Sequence, residues 1–166
     1  DSEQRSVLHI AAQMGHFSLV NYLLLNGANI NQRDVHLRTP ISTSILAFNN
    51  STTTSGTSSA STPNRYEIVK LLVKYGSDLD LADAQNQTPL ILSVATASKN
   101  GSNNVPNSCI SLLVSSGCDI DHIDSLGNTA LTYAIGARLD SIVDLLLKNN
   151  AATHILDLHG RSILSI

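Results

Sequence analysis

The fold is predicted from one stretch of the sequence, SVLHIAAQMGHFSLVNYLLLNGANIN at residues 6–31, because weaker copies of it recur along the rest of the chain. Ser6 is placed to cap a helix by accepting a hydrogen bond from a free backbone N–H one turn further on. Small and apolar residues follow at helical spacing as far as Gly15. A second apolar run ends at Gly27, since glycine adopts a left-handed backbone without steric cost. The stretch therefore predicts two short helices and an extended turn.

The same landmarks return along the chain at spacings that fit one base period with insertions. Each copy begins with a hydroxyl residue that can cap its first helix, namely Ser6, Thr39, Thr88, Thr129 and Ser162. The spacings are 33, 49, 41 and 33 residues, so two copies carry insertions of 16 and 8 residues. We assign repeats one to four to residues 1–33, 34–82, 83–123 and 124–156, and a partial fifth repeat to residues 157–166. Inserted loops are expected at residues 49–64 and 98–105, between the two helices of their repeats.

A 33-residue unit with a Thr-Pro-Leu-His-like start and a Gly-Ala-Asn-Ile-Asn-like end resembles the ankyrin repeat. The resemblance covers essentially the whole chain and is strongest in repeat one, where LHIAAQMGH and LLLNGANIN occur together. In the middle repeats Ser42 and Ile91 stand at the histidine place, and Phe48 and Ala97 stand at the first glycine place. The resemblance implies an all-α solenoid of stacked helix–turn–helix units joined by β-turn fingers, as one domain over residues 1–166.

Composition limits the classes of protein that the chain can represent. Of its 166 residues 42% are hydrophobic and only 4% are aromatic, which favours a core of Leu, Ile, Val and Ala in closely packed helices. A net charge of −3 gives no electrostatic reason to bind nucleic acid or an anionic membrane. No apolar run is long enough to span a bilayer and no signal peptide opens the chain, so we expect an intracellular protein of the cytoplasm or nucleus.

The ends of the repeat array predict a wider context. The first repeat lacks the polar cap that a free-standing solenoid needs, and the last repeat is cut short. We therefore expect the chain to be a segment of a longer protein, and to be monomeric when isolated.

Neither the cysteines nor the histidines predict chemistry. The spacing of Cys109 and Cys118 fits neither a zinc cluster nor a redox pair, so we expect reduced, partly buried thiols. The ankyrin resemblance implies structural hydrogen bonds for His9 and His16, and His154 and His159 lack a third ligand at useful spacing. No nucleophile elbow, phosphate-binding glycine loop or H-E-x-x-H motif is present. The sequence predicts no catalytic residue, cofactor or metal, and hence no enzyme.

The resemblance instead implies a binding surface for a protein partner. In the ankyrin arrangement the turns project as fingers and the first helices line a concave side. The second turn is unusual because Leu37 stands where the pattern prefers glycine, and Val35 and Leu37 lie between Arg33 and Arg38. These residues predict an apolar anchor with a charged rim, unless neighbouring turns or the parent protein cover them. The candidate partner-binding residues are Arg33, Val35, His36, Leu37, Arg38, Ile10, Gln13, Met14, Leu46, Leu92 and Tyr133.

The sequence predicts a non-catalytic protein–protein interaction module that presents a rigid groove and its turn tips. The alternative is a regulatory or autoinhibitory domain inside a larger enzyme or signalling regulator. Low-complexity insertions between repeat helices are similar to those of some fungal cell-cycle transcription cofactors and kinase inhibitors. Within the first insertion, Thr62 precedes a proline in a Ser/Thr-rich tract. It is a candidate for proline-directed phosphorylation, unless the insertion is only a spacer.

Overall fold

The helices of the chain come in pairs that follow the predicted repeats. The computed structural model describes residues 2–50, 65–99 and 107–153. In chain order the helices are α1 (Val7–Met14), α2 (Phe17–Leu25), α3 (Pro40–Leu46), α4 (Arg65–Lys74), α5 (Pro89–Lys99), α6 (Asn107–Ser115), α7 (Ala130–Gly136) and α8 (Asp140–Lys148). A 3-10 turn, Ala47–Asn50, follows α3. No strand is present in these described ranges, so the all-α prediction is confirmed.

Hydroxyl side chains start the first helices, as the sequence predicts. Ser6, Thr39 and Thr129 are in extended backbone, and each accepts a hydrogen bond from the N–H three residues ahead. Thr88 does the same for α5, with 3.4 Å between its Oγ1 and the nitrogen of Ile91. A cap of this kind stabilises a helix by about 1 kcal/mol, because it satisfies a donor that has no partner inside the helix.

Left-handed residues end the helices. Gly15 has a φ of 82°, its N–H donates to the carbonyl of Ala12 at 3.3 Å, and the next N–H donates to the carbonyl of Ala11 at 3.0 Å. Gly27 has a φ of 77° after α2. In repeat four the equivalent places hold Arg138 (φ 56°) and Asn150 (φ 64°), so this repeat keeps the left-handed geometry without glycine.

The repeats stack as two layers of helices. The first helices pack in the order α1, α3, α5 and α7, and the second helices in the order α2, α4, α6 and α8. The core between the layers is aliphatic, and its largest fully buried side chains include Ile41, Ile45, Leu72, Leu113 and Leu146. Because burying one such side chain stabilises a fold by about 1.5–3 kcal/mol, stacking is the dominant favourable term.

Part of the sequence prediction falls outside the described residues. This applies to residues 51–64 of the first insertion, residues 100–106 around the second, and the partial fifth repeat with its cap Ser162. At the start of the second insertion, Ser98 and Lys99 form the last residues of α5. The first insertion begins inside the 3-10 turn, which ends at Asn50.

Candidate functional site

Three buried aspartates build the turns that precede the first helices. Asp34, Asp83 and Asp124 each stand five residues before a helix cap and are 3–7% exposed. The Oδ1 of each accepts two backbone N–H bonds, from the residues two and four positions ahead, at 2.8–2.9 Å. This role was not predicted from the sequence, although an Asp that recurs five residues before each cap was a visible signal.

The second turn carries an additional ion pair. The Nε and Nη2 of Arg38 both lie 3.0 Å from Oδ2 of Asp34. Burial alone would raise the pKa of Asp34, but the backbone N–H and the guanidinium of Arg38 together hold that pKa below its usual 3.8. Arg38 therefore serves the turn itself, and its charge is largely balanced before any partner arrives.

Backbone hydrogen bonds join each turn to the next. The N–H of Val35 donates to the carbonyl of Glu3 at 3.0 Å. The equivalent bonds are Ala84 to His36 at 2.9 Å and Ser125 to Gln85 at 3.0 Å. These bonds run along the whole described row of turn tips, so the tips are fixed relative to one another.

Arg33 is held between the second and third turns. Its Nε donates to the carbonyl of Leu37 at 3.0 Å, and its Nη2 makes a short bond to the carbonyl of Ala82. The two arginines predicted as a charged rim thus fasten the second turn in place. What the turn presents outward is its apolar and imidazole side chains.

The apolar residues of the second turn lie open to solvent. Val35 and Leu37 are both 44% exposed, and His36 between them is exposed as well. Leu37 has a φ of 59°, the left-handed conformation that the glycine-like position in the repeat pattern predicts. The third and fourth turns have Asn86 (φ 58°) and Gly127 (φ 79°) at this place, which tolerate such a backbone better than leucine does.

The candidates on the first helix of repeat one are also accessible. Ile10 is 39% exposed and Met14 is 57% exposed. Gln13 is half-buried, and its Oε1 accepts a bond from Nη1 of Arg5 at 3.2 Å. Leu46, at the equivalent place to Gln13 in α3, is half-buried too. These side chains and the second turn belong to the same end of the stack.

Two candidates in later repeats are placed differently from the sequence expectation. Leu92 is only 4% exposed because α5 is packed between α3 and α7, so it offers no surface. Tyr133 is half-buried, and its hydroxyl donates to Oδ2 of Asp124 at 2.7 Å and accepts from Nε2 of Gln87 at 3.3 Å. Burial, followed by the bond to Asp124, raises the pKa of Tyr133 to about 12. Tyr133 therefore fastens the fourth turn to α7 and to the preceding turn.

A second row of bonds joins the loops that follow the second helices. Asn31 accepts from the N–H of Asp78 at 3.0 Å, Asp80 from the N–H of Asp119 at 2.7 Å, and Asp121 from the N–H of Ala152 at 2.8 Å. This row of bonds was not predicted from the sequence. Together with the row of turn tips, it locks successive repeats in one register.

The histidines and cysteines fit structural roles in part. His9 is fully buried, and its Nε2 lies 2.9 Å from the carbonyl of Arg38, as the resemblance implies. His16 is exposed and makes no side-chain capping bond to α2. Cys109 and Cys118 are free and buried, and burial raises the pKa of each thiol to about 12.

Three further expectations concern features that the structure describes only in part. Within residues 2–50, 65–99 and 107–153, no group of three His, Cys, Asp or Glu side chains is arranged to hold a metal ion. In the same ranges no helix combines the length and apolar character needed to cross a bilayer. Thr62, His154 and His159 lie outside the described residues.

Comparison with known proteins identifies the repeats. The family described as ankyrin repeats in three copies matches residues 57–157, and the single ankyrin repeat matches residues 3–35. Three of the curated proteins that are similar to the chain match most of it. They are glycerophosphocholine phosphodiesterase gde1 of Schizosaccharomyces pombe (31% identity over 70% of this chain), E3 ubiquitin-protein ligase KEG of Arabidopsis thaliana (26% over 87%) and ankyrin repeat and SOCS box protein 6 of Pongo abelii (28% over 78%).

The similar region is a small part of each relative. The matches span 8% of the phosphodiesterase, 8% of the ligase and 27% of the SOCS box protein. The similarity therefore concerns repeats that occur within otherwise different proteins. With matched repeats covering more than half of the chain and a helix-pair stack that agrees with them, this protein belongs to the ankyrin repeat family.

Proposed function

We propose that the chain is a non-catalytic protein-binding module whose main contact is the turn-two surface, defined as Ile10, Met14, Val35, His36 and Leu37. The observation that carries the proposal is the exposure of apolar side chains on a strained, firmly held turn. Leu37 keeps 44% of its surface open while its backbone occupies the left-handed region, at φ 59°. For an L-residue this conformation costs about 1–2 kcal/mol, so the fold gives up stability to place a leucine there.

Rigidity makes such a surface effective. Three sets of hydrogen bonds hold the second turn. Asp34 accepts two backbone N–H bonds within the turn, Arg33 donates to the carbonyl of Leu37, and the N–H of Val35 donates to the carbonyl of Glu3. A partner that docks on it loses little conformational entropy in the module, because the turn is ordered beforehand. Specificity would then rest on a few apolar anchors at the centre of the contact.

A capture experiment with matched variants tests the proposal. The wild-type chain, Leu37→Asp and Leu126→Asp would serve as baits, since Leu126 is a leucine that is 63% exposed on the fourth turn. We expect Leu37→Asp to lose the specifically captured protein, and Leu126→Asp to retain it with the same melting temperature as wild type. Equal retention by both variants would reject the turn-two surface as the contact.

A different observation favours a second function, that of a regulatory domain packed against another part of a larger protein. The outer face of repeat one carries Val7 (60% exposed), Leu19 (41%) and Tyr22 (63%). At the place of Leu19, the next repeats have Ile68, Cys109 and Ile142, which are 0–2% exposed. A groove of about 400 Å³ beside Val7 is lined by Leu8 and Leu23 together with polar residues such as Arg5 and Gln32. Exposed apolar patches of this kind mark interaction surfaces.

Site-specific photo-crosslinking distinguishes this second function from the first. A photoreactive phenylalanine at position 22, in the protein as its own cell expresses it, should form crosslinks within the same polypeptide if a neighbouring domain covers the face. The same probe at Tyr75, which is 38% exposed at the end of repeat two, serves as the matched control. Crosslinks at position 22 that involve only other proteins, or no crosslinks at all, would count against a regulatory contact in the same chain.

A further inference from the structure

The second and third turns use different residues for one equivalent bond to the following turn. In each turn the third residue after the buried aspartate has a left-handed backbone, and this residue is Leu37 (φ 59°) in the second turn and Asn86 (φ 58°) in the third. The Nδ2 of Asn86 donates at 2.8 Å to the carbonyl of Ile123, the residue before the next buried aspartate. Leucine has no side-chain donor, and the equivalent carbonyl, that of Ala82, is bound by Nη2 of Arg33 instead. Because Arg33 makes this bond, position 37 can carry an apolar side chain.

Arg33 fastens the second turn, but its charge has no carboxylate partner among the described residues. Its Nε and Nη2 donate to the carbonyls of Leu37 and Ala82, which are neutral acceptors. A guanidinium has more N–H donors than these two bonds occupy. The Nη1 atom makes no bond within the described part of the chain and is not buried, so its N–H groups face solvent. Arg38, by contrast, is neutralised by Asp34.

The charge of Arg33 lies beside exposed apolar residues of the turn-two surface. Its Nε is 3.0 Å from the carbonyl oxygen of Leu37, and both Leu37 and Val35 are 44% exposed. The third and fourth turns, at residues 82–87 and 123–128, contain no Lys, Arg or His, although Leu126 in the fourth is 63% exposed. Of these three turns, only the second therefore combines an apolar tip with a cation that no carboxylate neutralises.

Exposed carboxylates lie along the other row of loops, which follows the second helices. Asp78, Asp80 and Asp119 are exposed there. Because like charges repel and opposite charges attract, an anionic ligand is favoured at the second turn and opposed at this row.

We propose that the turn-two surface binds an acidic peptide segment. An aliphatic or aromatic side chain of the segment packs on Val35 and Leu37, and a neighbouring carboxylate accepts hydrogen bonds from Nη1 of Arg33. This inference rests on the proposed function and adds the chemistry of the ligand. A hydrogen bond between a guanidinium and a carboxylate is roughly twice as strong as one between neutral groups, so it selects acidic ligands, while the apolar contact supplies the anchor.

Selection from a random peptide library displayed on phage tests the class of ligand. The wild-type chain and Leu37→Asn serve as baits, because asparagine is neutral and occupies the equivalent left-handed place in the third turn. We expect the peptides that only the wild type enriches to carry Asp or Glu next to a large apolar residue. Leu37-dependent peptides without acidic residues would overturn this inference and leave the proposed function standing. If no peptide depended on Leu37, both would be rejected.

Two variants test the role of Arg33 in binding an enriched acidic peptide. Arg33→Gln keeps an amide that can donate to the carbonyl of Ala82 but has no charge, and Lys148→Gln removes an equal charge at the exposed end of α8. We expect Arg33→Gln to weaken binding of the peptide about tenfold and to remove most of its dependence on salt. Lys148→Gln should bind as the wild type does. Equal affinity of Arg33→Gln and the wild type would overturn the inference.

A change in the peptide makes the same comparison without altering the fold. An analogue with Asn in place of the acidic residue should bind the wild-type chain about tenfold more weakly than the parent peptide, and should bind Arg33→Gln as the parent does. Equal binding of both peptides to the wild type would contradict the assigned contact. A dimer in analytical ultracentrifugation that Leu37→Asn dissociates would assign the surface to a second copy of the chain and overturn the inference.

Discussion

Two serines at equivalent places make a test of how the stack balances its buried polar groups. Ser44 in α3 and Ser93 in α5 both follow their helix cap by five residues, and both are 0% exposed. The Oγ of Ser93 donates to the carbonyl of Leu90 at 2.7 Å, whereas the Oγ of Ser44 has no hydrogen-bond partner among the described residues. Repeats one and four have Ala11 and Ala134 at this place, so a methyl group fits the site.

Replacing each serine by alanine should therefore change stability in opposite directions. Ser44→Ala removes a buried hydroxyl whose lost hydration is uncompensated, and such a group costs about 1–3 kcal/mol. Ser93→Ala removes a satisfied hydroxyl, whose bond contributes about 1 kcal/mol. We expect Ser44→Ala to stabilise the chain by about 1 kcal/mol and Ser93→Ala to destabilise it by a similar amount.

Thermal and urea unfolding followed by far-ultraviolet circular dichroism measure both changes. A change of 1 kcal/mol corresponds to roughly 2–4 °C in Tm for a chain of this size, so the two variants should differ by about 4–8 °C. A shift of the transition in the same direction and by the same amount for both substitutions would contradict this difference between Ser44 and Ser93. In that case the hydrogen bond of Ser93 would make no measurable contribution to the free energy of unfolding, and the position in the repeat alone would determine the effect.

Three other changes follow from the same contacts. Leu113→Ala should lower the free energy of unfolding by about 2–5 kcal/mol, because the side chain is 0% exposed and its truncation leaves a cavity. A loss below about 1 kcal/mol in urea titrations would contradict that packing. Tyr133→Phe should cost about 1–3 kcal/mol, because Asp124 loses one hydrogen bond to its charged carboxylate while it keeps the donors of Leu126, Asn128 and Gln87; an unchanged Tm would show that the Tyr133 hydroxyl contributes nothing to stability. The thiol of Cys109 should react with a disulfide reagent at pH 8 only as fast as the chain opens, because burial raises the pKa of this thiol to about 12. Rapid labelling of the folded chain would disprove the burial of Cys109.

The local features of the fold were predictable because each one depends on a short run of sequence. A hydroxyl cap acts on an N–H three residues ahead, and Gly15 and Gly27 act on the turn beside them. Even the left-handed backbone of Leu37 followed from its place in the pattern, although leucine itself gives no sign of it. The repeat period then supplied the order of the helices.

The contacts between repeats were less accessible from the sequence. Whether Leu92 faces a neighbour or solvent depends on how α5 is rotated against α3 and α7, and periodicity alone does not fix that rotation. The contact between Tyr133 and Gln87 joins residues 46 positions apart, across a junction with inserted residues. Arg33 and Arg38 were predicted as a rim because their charge is visible in the sequence, while the carbonyls and the carboxylate that hold them are not.

Hydroxyl-radical footprinting of the chain, free and bound to its captured partner, tests the proposed contact most directly. Met14 is the only methionine in the chain and is 57% exposed, so it reports on α1, and Leu37 reports on the second turn. We expect partner binding to protect Met14 and Leu37 from oxidation and to leave the oxidation of Tyr75 and Leu126 unchanged. Protection of Tyr75 or Leu126, with Met14 and Leu37 oxidised as in the free chain, would contradict it.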